Sequence, residues 1–211
     1  MLIFSTSILV YGQQSENDII NEMCLEFKNT ENLSDSLRIE NMLSKKLYPY
    51  LRNIETSKVD SIGTSLFIRL QKDCPEFRSF LLKESNTNNF IPVDKMPEGS
   101  ITTLEKKEFT KTKRFYYYEG ATDEKTKVLI ENGYWFEKFP DNTYSKCKLI
   151  WTSNNEYALE FIESNNEARK SFNKKGDIFQ YKLIKKENNY YIIAAQIKGQ
   201  TEILLFKLYE E

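Results

Sequence analysis

The side chains of this 211-residue chain that could do chemistry are carboxylates, lysines, arginines, three cysteines and a dense set of aromatic rings; histidine is absent. Without imidazole, Ser-His-Asp and Cys-His nucleophilic catalysis are unavailable in their usual forms. His-ligated zinc, non-haem iron and haem are excluded with them, as is an imidazole pH switch near neutrality. Acid–base work by Asp and Glu, lysine nucleophiles and oxygen-ligated Ca²⁺ or Mg²⁺ stay open. There is no Walker loop, no GxGxxG and no EF-hand loop, and seven glycines offer little for cradling phosphates. No catalytic residue, metal site or cofactor is therefore expected.

The rings concentrate at 116–136, YYYEGATDEKTKVLIENGYWF. Strand alternation puts Phe115 and Tyr117 on one face and Tyr116 and Tyr118 on the other. In the hairpin that follows, Trp135 faces away from Tyr134 and Phe136. Trp151, Tyr157, Leu159 and Phe161 repeat the pattern. Such rings read first as sheet packing. If the sheet curves, the same rings line a mouth for an apolar or planar ligand, and Tyr117, Trp135 and Trp151 are the candidate binding residues. A protein-binding face is the third reading, since Tyr and Trp are enriched at interfaces. Asp123 and Glu124 are neighbouring carboxylates within a run best read as a solvated loop. Arg169, in SNNEARK, either clamps a carboxylate or pins a short helix.

The cysteines are Cys24, Cys74 and Cys147. Cys24 and Cys74 fall on helical patterns and are expected to pair, closing a loop worth roughly 4 kcal/mol; Cys147 is expected on a strand as a small buried hydrophobe. The alternative is three reduced thiols in a cytoplasmic protein.

Two kinds of element must position these groups. Residues 15–85 read as helices. Ile19, Ile20, Met23 and Phe27 share one helical face, as do Ile39, Leu43, Leu47 and Leu51, with Ser34 or Asp35 as cap and Pro49 as a stop or kink. Val59, Ile62, Leu66, Leu70 and Cys74 form a third stripe. Asp73, Pro75 and Glu76 start a fourth helix. Residues 86–108, rich in amides and turn formers, read as a linker in which Phe90, Ile91, Val93 and Met96 dock on a neighbour. From 109 to 211 the pattern is strand-like, with strands at 109–119, 126–131, 134–139, 144–151, 156–163, 177–186, 190–197 and 201–209. Asn132-Gly133 is the strongest hairpin signal, and a short polar helix interrupts the meander at 164–176.

Residues 1–14 hold a short apolar run, Leu2 to Val10, then Val10-Tyr11-Gly12, and read as a secretory signal without its basic start. No segment is long enough to span a membrane. Lys+Arg is 30 against Asp+Glu 31, a net charge of −1, so nucleic acid is not an expected partner. The chain is expected to be secreted or periplasmic, with an unknown protein or a small apolar molecule as partner.

Residues 116–183, from YYYEGATDEK to GDIFQYKL, resemble a group of small, uncharacterised, exported proteins of the Bacteroidota. The likeness runs over roughly 109–209, with an echo at 19–82 that includes Cys24 and the CPEF of 74–77. It implies a helical N-terminal part ahead of an antiparallel β domain and carries over no catalytic residue. Gly133-Tyr134-Trp135 also resembles the G-x-W that opens lipocalin barrels, here after two earlier strands. The expected fold is α+β: an N-terminal helical bundle followed by an antiparallel, curved or barrel-like, lipocalin-like sheet. The expected function is an exported, non-enzymatic binding or interaction module. Its alternatives are a carrier of a small apolar ligand and a carboxylate-based hydrolase.

Overall fold

A computed structural model describes residues 14–84, 89–119 and 124–211. The expected signal, save Gln14, and Asp123 lie outside the described residues. The chain divides into two compact units, Met1–Leu66 and Phe67–Glu211, with the boundary inside a helix.

In the first unit, α1 (Glu16–Asn29) starts at a capping box of Ser15 and Asp18 and buries Ile19, Ile20, Met23 and Phe27. This is the face its spacing predicts. The second helical stretch departs from its predicted stripe. It begins after Ser34 as α2 (Asp35–Met42), widens to a π turn (Leu43–Leu47) and ends as α3 (Tyr48–Leu51). The buried residues are Met42, Leu47 and Tyr50; of the Ile39-Leu43-Leu47-Leu51 row Leu47 is buried and the other three are half-buried. Pro49 has no N–H and its ring crowds the carbonyl four residues back. The wider turn before it relieves that clash and rotates the face that follows. Arg38 lies 3.9 Å over the Phe27 ring and donates to the Phe27 carbonyl.

Helix α4 (Val59–Asp73) crosses into the second unit, where α5 (Pro75–Glu84) begins at its proline. The strands that follow are β1 (Phe90–Val93), β2 (Arg114–Tyr118), β3 (Lys125–Glu131), β4 (Tyr134–Lys138), β5 (Tyr144–Trp151), β6 (Glu156–Ser164), β7 (Ile178–Glu187), β8 (Tyr190–Ile197) and β9 (Ile203–Glu210). From β2 to β9 each pairs antiparallel with the next. Phe115 opposite Glu210 and Tyr116 opposite Tyr209 then join β9 to β2 and close an eight-stranded, lipocalin-like barrel. Strand β1 takes the other half of the same β9 edge, Phe90 opposite Phe206 to Val93 opposite Ile203. The register shifts at Lys146/Cys147 and at Leu183/Lys185 are bulges, which bend strands into a closed wall. Asn132 and Gly133, both at positive φ, make the tight β3–β4 turn.

The described part of the stretch expected as a linker, residues 89–108, is structured. Besides β1 it holds most of α6 (Thr103–Lys111), so Phe109 is helical and the expected strand 109–119 begins only at Arg114. The overlooked signal was Thr102 and Glu105, a reciprocal capping box. Val93 and Met96 cover Ile184, Ala194 and Ile203 on the barrel's outer face. Gly99 sits where an added Cβ would come within 3.0 Å of the Leu183 carbonyl.

Phe115, Tyr117, Val128, Trp135, Tyr157 and Phe161 point inward and are buried, whereas Tyr116 stacks on Tyr209 outside the wall. The alternation read from the sequence holds for these residues.

Candidate functional site

The barrel has two unlike ends. At one, the tight β3–β4 and β7–β8 turns surround α6. Phe109 of α6 enters the interior and packs 5.1 Å from Phe115, 5.0 Å from Tyr191 and 6.1 Å from Trp151. Lys186 pairs with Glu108 and Glu210 and holds the helix to the wall.

At the other end lie the longer β2–β3, β4–β5, β6–β7 and β8–β9 connections. The β6–β7 connection folds as α7 (Glu167–Phe172), capped by the Asn166 side chain on the Arg169 amide. From α7, Arg169 reaches into the barrel. Its Nη2 donates to Glu119 Oε1 at 2.5 Å and to Tyr117 Oη at 3.1 Å, and its Nε lies 3.9 Å from Glu137 Oε2. Tyr117 Oη is 2.9 Å from Glu137 Oε1 and 3.2 Å from Glu119 Oε1, and its single proton can serve one of them. Trp135 Nε1 donates to the same Glu137 oxygen at 3.3 Å. The loops of this end are tied to α4 and α5 by Lys72 on Asp177 and Ser79 on Glu202.

Beneath this network is a cavity of about 150 Å³ lined by Tyr117, Trp135, Glu137, Arg169, Asn173 and Tyr181, among others. Trp135, Tyr157 and Tyr181 stack nearly parallel, Tyr157 on Tyr181 at 5.2 Å and 10°, between the cavity and the Phe109 plug. Phe90 of β1 stacks on Phe206 and completes the wall. The Arg169 and Glu119 side chains are 31% and 40% exposed, so the network stands at the border between cavity and solvent.

The electrostatics follow from burial. Desolvation, and then Glu137, push the Tyr117 hydroxyl well above the usual phenol range. Tyr181 is raised for the same two reasons. Burial works against the charge of Arg169, but Tyr117, Glu137 and Glu119 outweigh it and keep the guanidinium protonated. The Cys147 thiol is pushed up to about 12, first by burial and then by Glu137. It is therefore a poor nucleophile at neutral pH.

Of the three ring residues singled out from the sequence, Tyr117 and Trp135 share this cavity. Trp151 lies at the other end, 6.1 Å from Phe109, with Lys106 4.7 Å over its ring. Arg169 does both things its sequence context offered, clamping carboxylates and fixing α7. Glu137 was overlooked, although it follows Trp135 at the strand period and so faces inward. Asn173 and Tyr181 carried no distinguishing signal. Cys24 and Cys74 are disulfide-bonded residues and Cys147 is the free thiol. No helix among the described residues is long and apolar enough to cross a membrane.

Fold and site together define a lipocalin-like barrel with one plugged end and one ring-sized cavity under a charge network. The chain matches no protein-family model and no curated protein.

Proposed function

We propose that the protein is an exported binding module that holds a small molecule in the α7 end of its barrel. The observation that carries this reading is the cavity of about 150 Å³, walled by rings and reached past Arg169. An apolar cavity of that size accepts about one aromatic ring. Larger cargo needs several hundred cubic ångströms. An eight-stranded barrel filled mostly by its own side chains suits a small guest.

The hydrolase alternative gains no support. Glycoside hydrolysis needs two acids on either side of a scissile bond. Here Tyr117 Oη and Arg169 Nη2 occupy the space between Glu119 and Glu137.

Export and the Cys24–Cys74 pairing belong to the same proposal. Pairing in an oxidising compartment is consistent with the bonded state of both sulfurs, and the likeness to exported Bacteroidota proteins points the same way.

The test is ¹⁹F NMR of fluorobenzene with the folded protein. A saturable shift is expected, lost in Ala195→Leu, which fills the cavity from β8. A probe that ignores the protein, or binds both forms equally, refutes the cavity as a binding site. Non-reducing peptide mass mapping of protein from its own host should yield a Cys24–Cys74 linked pair and free Cys147; free Cys24 refutes the pairing.

A further inference from the structure

The lining of the cavity and the network above it are uneven in hydrogen-bonding capacity, and the network is uneven in charge. Two carboxylates, Glu119 and Glu137, surround the one guanidinium of Arg169 within 4 Å. In the lining itself Glu137 and Arg169 balance, and Glu119 at the rim gives the three-residue network one negative charge.

Two acceptors on residues of the lining have no hydrogen bond of their own. Glu137 Oε1 takes both the Tyr117 and the Trp135 hydrogen bonds, whereas Oε2 has its nearest cation at 3.9 Å, beyond hydrogen-bond reach. Independently, Asn173 lines the same cavity at 9% exposure, and its Oδ1 has no partner, its Nδ2 being spent on the Arg169 carbonyl. A buried acceptor without a donor is costly. Much of the rest of the wall is π surface, from Trp135, Tyr181, Phe172, Phe179 and Phe206, with Ser145, Cys147, Leu159 and Ala195 between the rings.

We propose that the cavity takes a small organic cation, a primary amine carried on a single aromatic ring, with the ammonium between Glu137 Oε2 and Asn173 Oδ1. An ammonium brings three donors and no acceptor, matching the two free oxygens. Its charge neutralises the local excess, and electron-rich ring faces favour it further. A carboxylate guest would instead add a third anion around one guanidinium. The ring lies on Tyr181 and Trp135, filling a volume suited to about one such group. The assignment rests on the binding reading above and adds the chemical class of the guest.

The experiment uses the full chain as Trp151→Phe, which leaves Trp135 as its sole tryptophan, since the chain has two. Its emission is titrated with 2-phenylethylamine, with 3-phenylpropanoate and with neutral ethylbenzene. The amine is expected to bind most tightly. Glu137→Gln should weaken the amine by about ten- to a hundredfold, as loss of a charge-assisted hydrogen bond does, and leave ethylbenzene unchanged. Asn173→Leu should act in the same direction and more weakly. Ethylbenzene or the acid binding as tightly as the amine, or an amine affinity indifferent to Glu137→Gln, overturns the cation assignment and leaves a ring-binding cavity standing. No response to any of the three, in a protein whose thermal melt shows it folded, overturns the cation assignment and the binding reading together. If Glu137→Gln fails to fold, the comparison of the three probes on the parent protein decides alone.

Discussion

The two ends of the barrel are built on one plan and finished differently. Each is closed by a short helix that sends one long side chain inward: Phe109 from α6, Arg169 from α7. Phe109 packs among the rings of Phe115, Tyr157 and Tyr191 and leaves Tyr191 Oη to reach the Glu105 carbonyl. Arg169 has to bring its partners with it. Glu119, Glu137 and Tyr117 must turn toward it, and a planar fork with its ligands does not fill a round interior as a phenyl ring does. The cavity is the volume left over. One closure thus serves stability and the other leaves room for chemistry, with the stacked rings of Trp135, Tyr157 and Tyr181 between them.

This division predicts effects of decreasing size. Phe109→Ala removes a fully buried ring from the plugged end and should cost about 3–5 kcal/mol in denaturant unfolding, with little change in probe affinity at the far end. If affinity falls in step with stability, the two ends are not independent. Arg169→Met should cost about 1–3 kcal/mol. That is less than a fully buried pair would lose, because the Arg169 and Glu119 side chains are 31% and 40% exposed. The same change should alter the emission of Trp135, and a spectrum identical to the parent's would argue against a shared site.

The smallest effect concerns the cap of α6. Thr102→Ala should cost about 1 kcal/mol. The backbone N–H and hydroxyl of Thr102 hold the Glu105 carboxyl below its ordinary 4.5. A depressed carboxyl stabilises the fold above its unfolded-state value, and that stability is lost as pH falls through the folded-state value. The difference in melting temperature between parent and Thr102→Ala should therefore be full at neutral pH and shrink in acid. A difference that is constant from pH 7 to pH 3 would show that the Thr102 hydroxyl does not help to hold the carboxylate, since the backbone N–H remains in the variant.

Much of this architecture can be read from residue order. The strand alternation around Phe115 and Trp135, the Asn132-Gly133 hairpin and the α1 face are local patterns, and each has one low-energy solution. The helix at Thr103–Lys111 was hidden by the turn-rich residues before it and by the aromatic run after it, and only its capping box marks it. The phase shift before Pro49 is a backbone adjustment that no hydrophobic period encodes. Of the site, Tyr117, Trp135 and Arg169 stand out by type. Their convergence with Glu137 and Asn173 depends on closure, which places β2, β4 and α7 around one axis, and closure is a long-range property.

Strand β9 is the neighbour of β1, β2 and β8 alike. On a ribosome, β1 and β2 emerge early, and their partner is made only after the whole meander has been translated. Until then β2 carries bare backbone along one side and β1 along both, and the growing chain has no wall to shut. A polypeptide built in this order stays open to chaperones, and to any pore that accepts only unfolded chains, until β9 has been made.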